Sequence, residues 1–242
     1  MKNITLFIFS TLLYFNASAA TITAAQDPWA PFVQKDSVNP GISVEIITEA
    51  FKSQGHTVDF KIMPWTRALN EVKSGKVDLL VATWFTSERT SYLKYSEPYL
   101  ENSLKFIMRK GYGFEYSGMA SLSGKNVGIV RNYGYGDEFL AATNFKKPEA
   151  SDLVSNAKKL LAKRIDLTLE DELVAKSTLS GAGMDLADFD FSSTALSVNP
   201  LHVTVGLSNP NHDAYIAAFN KGLAEIKANG TFDNILAKYG IK

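Results

Sequence analysis

The sequence predicts an α/β protein of two lobes, each built on a parallel-type sheet with flanking helices and joined to the other by a two-segment hinge. Three patterns lead there. Residues 21–82 alternate as βαβαβ, residues 126–179 form a second alternating set, and two short extended runs, 104–108 and 202–207, bracket that second set. The alternation predicts parallel pairing with right-handed crossovers, since parallel neighbours need a connection long enough to hold a helix.

Each element has its own local warrant. Residues 21–25 read as a strand. Residues 41–54 read as a helix with Ile42, Ile46, Ile47 and Phe51 on one face, closed by Gly55. Residues 57–62 alternate as a strand. Trp65, Ala68, Leu69 and Val72 then recur at helical spacing until Gly75 stops the helix. Residues 77–82 are nearly all apolar, as in a strand buried on both faces. In the second set, 126–130 and 165–169 read as strands, and 137–142, 153–162 and 171–179 as helices. At the chain end, Ile216, Phe219, Leu223 and Ile226 share a helical face, Asn229-Gly230 ends it, and Thr231 can cap a last helix. Pairing 104–108 with 202–207 as crossings divides the chain into lobe 1, residues 20–105 completed by 206–242, and lobe 2, residues 106–205.

Lys2, an apolar run from Ile4 to Phe15 and the small-x-small Ala17-Ser18-Ala19 predict a signal peptide over residues 1–19, cleaved after Ala19 or one residue later. The run is too short for a membrane anchor, which needs about 20 apolar residues. There is no cysteine. That excludes disulfide scaffolds, thiol catalysis, cysteine-bound metal and a cysteine-borne lipid, and favours a periplasm enclosed by an outer membrane. Losing Lys2 reduces 25 basic residues to 24 against 25 acidic ones, a net charge of −1. No basic stripe appears, so nucleic acid and anionic membrane are not expected partners.

Chemistry concentrates near the C-terminal ends of predicted strands, where open parallel sheets place ligands. Thr86 is a plausible N-cap that puts Arg89 in a first helical turn, a poor place for a cation unless an anion joins it. Asp171 opens a helix between Glu170 and Glu172, where acid is favoured with or without a ligand. Trp29, Trp65, Trp84, Tyr133 and Tyr135 fall in the same loops and could sandwich an apolar or cationic group; for Trp65 a core role weighs as much. Arg67 is either a second anion contact or an exposed helical arginine. His56, His202 and His212 are scattered and lie beside no nucleophile, and no glycine pattern suits a nucleotide, so no enzyme, metal or cofactor is expected.

Ser74-Gly75-Lys76-Val77-Asp78, Thr86-Ser87-Glu88-Arg89 and Tyr95-Ser96-Glu97-Pro98-Tyr99 resemble, in order and spacing, a series found in family 3 solute-binding proteins. The similarity continues through Leu122 to Gly128, Arg164-Ile165-Asp166, Glu170-Asp171-Glu172 and Asn229-Gly230-Thr231-Phe232. The resemblance implies the type II periplasmic binding-protein fold and a monomeric receptor. Such a receptor delivers a polar amino acid or related carboxylate to the permease of an ABC importer. It also implies that Arg89 clamps a ligand carboxylate, that Asp171 accepts an ammonium and that Trp29 stacks on the ligand. Trp84 replaces a small hydroxyl residue of those receptors, and the second-lobe loop Arg131-Asn132-Tyr133-Gly134-Tyr135-Gly136 departs from their pattern, which reshapes the pocket. A sensory protein presenting its ligand to a chemoreceptor or kinase, and a dehydratase-like enzyme on the same scaffold, are the alternatives.

Overall fold

The computed structural model describes residues 19–241. All but the last residue of the expected leader therefore lies outside the described residues. Nine strands form one sheet in the order β2-β1-β3-β9-β5-β8-β6-β7, with β4 also on β9. On one side, β1 (Thr21–Gln26) pairs in parallel with β2 (Thr57–Ile62) and β3 (Leu79–Trp84). On the other, β6 (Val127–Val130) pairs in parallel with β7 (Glu149–Ala150) and β8 (Leu167–Asp171). The antiparallel strands β5 (Leu100–Arg109) and β9 (Phe189–Gly206) run through the middle, and β4 (Leu93–Tyr95) lies on β9.

Burial follows this order. β3 and β8 are buried along their whole length, as central strands covered on both faces must be, while the edge strand β2 alternates exposed and half-buried residues. Helix α1 (Ile42–Ser53) buries the expected Ile42, Ile46, Ile47 and Phe51, and α2 (Trp65–Lys73) buries Trp65, Ala68, Leu69 and Val72. Each fully buried large apolar side chain contributes about 1.5–3 kcal/mol. The second half carries α3 (Asp137–Ala141), α4 (Leu153–Leu161) and α5 (Glu172–Gly181). Near the chain end, α6 (His212–Ala228) packs on α1, and α7 (Thr231–Lys238) follows it. At Gly222 a Cβ would stand 1.9 Å from the Ala50 carbonyl oxygen, so only glycine lets α6 and α1 approach this closely.

Two expectations shift. The strand expected at 165–169 lies at Leu167–Asp171, which puts Glu170 inside a buried strand and Asp171 at its end. The two crossing strands do pair, but not in the expected register. Residue 104 faces Ser197 and 108 faces Asp190, while His202 pairs with Thr83 of β3. Between the two parallel sets, Glu101, Asn102 and Ser103 meet Pro200, Asn199 and Val198. The 18-residue length of β9 was hidden because its middle is half-exposed and rich in Ser, Thr, Asn and Pro.

Candidate functional site between the two halves

Gln26 ends β1, and its side-chain amide bridges to Ala82 of β3, donating to the carbonyl at 3.1 Å and accepting from the N–H at 3.3 Å. This fixes the following loop against the end of β3. Trp29 from that loop packs edge-on to Trp84 with ring centroids 5.5 Å apart. Trp84 donates its indole N–H to Asn102 at 3.1 Å. Beyond Trp84 the chain makes a four-residue 3₁₀ turn, Glu88–Ser91, rather than the expected helix. So short a turn has little dipole, and the expected penalty on Arg89 shrinks with it.

Arg89 is 3% exposed. Its Nη1 donates to the Trp84 carbonyl at 2.8 Å, its Nη2 donates to the Asn132 carbonyl, and the Trp65 ring lies 5.2 Å away. Among the described residues no carboxylate pairs with it; Glu88 and Glu97 do not. A buried guanidinium met by neutral groups and by no carboxylate can receive an anion.

The loop after β6 closes over this cation from the other half. Asn132 adopts a left-handed backbone, φ 62°, which asparagine tolerates better than most residues. The turn aims its carbonyl at Arg89 and at the indole N–H of Trp65, 2.8 Å away. Gly134 follows, where a Cβ would meet the Thr86 methyl at 2.8 Å and Arg89 Nη1 at 3.1 Å. Tyr133 donates to Asp27 Oδ2 at 2.8 Å, Trp29 donates to Glu170 Oε1 at 3.2 Å, and Ser87 donates to Asp137. The two halves are thus closed on each other. The cavity between Gln26, Trp29, Trp65, Ala82, Trp84, Arg89, Tyr133 and Gly134 holds about 20 Å³, room for one water. A second cavity of about 210 Å³ is lined in part by Thr86, Tyr92 and Asn132, and Arg89 and Tyr133 border both.

Of the expected site residues, Arg89, Trp29, Trp84 and Tyr133 come together around this cavity. Two do not. Arg67 is exposed and pairs with Glu71 at 2.7 Å, one turn along α2. Asp171 caps α5: its Oδ1 accepts from the N–H groups of Leu173 and Val174, and its Oδ2 accepts from Asn102 and Ser103. Four protein donors saturate that carboxylate, and it does not line the cavity.

Two carboxyls escaped the sequence reading. Asp27 holds Tyr133, and burial, only partly offset by that hydrogen bond, raises its pKa to about 6. Glu170 is 1% exposed, and burial raises it to about 8 against the pull of the Asp171 N–H and the Trp29 indole. Placing the strand two residues later would have put Glu170 among buried residues, and a buried carboxyl is itself a signal.

A sheet of two parallel sets joined by two long antiparallel strands, with aromatic rings and a buried arginine at the junction, defines a two-lobed solute-binding fold. The model of the bacterial extracellular solute-binding proteins, family 3, matches residues 21–242, and the chain belongs to that family. It is 24% identical to the histidine-binding periplasmic protein of Salmonella typhimurium, over 99% of this chain and 97% of that one. It is 26% identical to the lysine/arginine/ornithine-binding periplasmic protein of Escherichia coli, over 87% of this chain and 84% of the relative. Among solved structures, a histidine kinase sensor domain with similarity to periplasmic binding proteins superposes with a TM-score of 0.80 at 20% identity, covering 91% of this chain and 96% of that one. Among the described residues no helix is long and apolar enough to cross a membrane.

Proposed function

We propose that this protein is a periplasmic receptor that captures an amino acid between its lobes and delivers it to an ABC importer. The observation that carries the reading is the buried Arg89, held by neutral carbonyls from both lobes. Its Asn132 partner stands where one oxygen of a ligand carboxylate would accept the same N–H. The names of the two relatives given above, both amino-acid binders, support the same ligand class. In this reading Trp29, Trp84 and Tyr133 enclose the apolar part of the ligand, and Arg67 makes no contact with it. Asp171 fixes the corner between β8, α5 and the crossover instead of holding the ligand directly.

The lobes divide at the crossover, residues 101–103 against 198–200, and closure turns about it. A cavity of one water's volume admits no amino acid, so entry requires the loop at 131–136 to withdraw from Arg89. The leader is removed after Ala19 or one residue later, which the intact mass of the exported protein checks. Calorimetric titration with histidine, arginine, lysine and glutamine tests the function itself. Saturable binding of at least one, recovered chemically unchanged, is expected, whereas heat from none of them overturns the reading. Because the fold also serves as a kinase sensor domain, uptake of the bound amino acid by a deletion strain decides between delivery and sensing: lost uptake supports delivery.

A further inference from the structure

Asn102 lies in β5 opposite Asn199 of β9, between the two parallel sets, and is 1% exposed. It lines neither cavity. Its side-chain amide has a partner on each side. The oxygen accepts from the Trp84 indole at 3.1 Å, and the nitrogen donates to Asp171 Oδ2 at 3.2 Å. An indole can only donate and a carboxylate accepts, so these partners fix which end of the amide faces which. Among the described residues, Asn102 supplies the one acceptor of that indole. Trp84 in turn serves the small cavity with both its ring and its backbone. The ring lies 5.5 Å from Trp29, 5.8 Å from Tyr133 and 6.3 Å from Tyr135, and the carbonyl accepts from Arg89 Nη1 at 2.8 Å.

The outer torsion of an aromatic side chain has a broad minimum, so packing alone leaves the ring some play. A hydrogen bond on the indole nitrogen removes that play. Here the acceptor comes from a different strand than the ring: Trp84 ends β3, whereas Asn102 belongs to β5. The bond therefore ties the cavity wall to the stretch about which closure is proposed to turn. Removing the amide oxygen would leave a buried N–H without an acceptor, a loss the ring can relieve only by turning out of its place. Truncating Asp171 has no such effect, because the indole still orients the amide.

We propose that Asn102 is a positioning residue for ligand capture, acting without touching the ligand by holding the Trp84 ring in the cavity wall. The assignment rests on the amino-acid reading above but can fail separately from it. The test places Asn102→Leu in the wild-type protein and in Trp84→Phe, which has no indole N–H to hold. Calorimetry uses whichever of histidine, arginine, lysine and glutamine binds wild type most tightly. Asn102→Leu should weaken binding at least about tenfold in wild type and less than about threefold in Trp84→Phe. Near-ultraviolet circular dichroism of the protein without added amino acid reads the ring itself. Asn102→Leu should alter the tryptophan bands of wild type and leave those of Trp84→Phe unchanged. Melting curves establish that each variant is folded, and Asn102→Ala takes the place of Asn102→Leu if the latter is not. An affinity within about threefold of wild type, an equal loss in both backgrounds, or unaltered tryptophan bands overturns the role and leaves the amino-acid reading standing. Failure of wild type to bind any of the four amino acids overturns that reading and the role in capture with it.

Discussion

Arg89 and Glu170 are both ionisable side chains buried at the junction of the two halves, and their surroundings are opposite. The guanidinium is supplied with acceptors, the carbonyls of Trp84 and Asn132. The carboxyl has one oxygen served and one left over. The two are linked through Trp84 and Trp29: the Trp84 backbone carbonyl on Arg89, the Trp84 ring on Trp29, and the Trp29 indole on Glu170. A cation stays charged in a dry site if carbonyls point at it. A carboxyl with too few donors is pushed towards protonation. In the proposed reading Arg89 takes an anion, while the Glu170 carboxyl behind Trp29 stays short of donors.

The comparison breaks most sharply at Arg89. Arg89→Ala should weaken amino-acid binding by about 2–5 kcal/mol, because the ligand carboxylate would then be buried unpaired. Calorimetry that finds a loss under about 1 kcal/mol contradicts the role. Asp171 offers the contrast of a carboxylate whose donors are all intramolecular. Asp171→Ala should lower the stability of the protein by about 1–3 kcal/mol in urea, through the lost cap of α5 and the lost bonds to Asn102 and Ser103. Amino-acid affinity should stay within about threefold of wild type. A tenfold or larger loss of affinity would return Asp171 to the ligand site.

A smaller effect lies in pH. Glu170 rises from 4.5 to about 8, and Asp27 from 3.8 to about 6, both chiefly by burial. The folded protein keeps these protons where the unfolded chain has lost them. Their stabilising contribution is complete below the unfolded values and is lost as pH rises through about 6 and then about 8. The melting temperature of the protein without added amino acid should therefore fall between about pH 5 and about pH 8, and Glu170→Gln should flatten the upper part of that fall. A wild-type profile with no slope there would mean that the carboxyls are solvated or paired.

The same contrast explains what the sequence made legible. The core face of α2 was plain because its apolar residues recur at helical spacing, and β3 was plain because every residue in it is buried. Arg89 was found because it stands in a motif. Glu170 was not, because its neighbours Asp171 and Glu172 make it look like one more acid at a helix start. Only its place in β8, which is buried along its whole length, shows that it points into the protein. Asn132 was missed for a different reason: it acts through a backbone carbonyl, and its side chain does not advertise that role. The position of the crossover depended on long-range pairing between β5 and β9, which no local pattern encodes.

The central claim is that the lobes open to admit the ligand and close upon it. Small-angle scattering, with and without a saturating amino acid chosen from the calorimetric titration, tests it most directly. Ligand should favour the closed form by its differential affinity. The account predicts a smaller radius of gyration on ligand addition and a change in tryptophan emission, since Trp29, Trp65 and Trp84 all line the closing cavity. An unchanged radius together with unchanged emission, under conditions where calorimetry records binding, would contradict it.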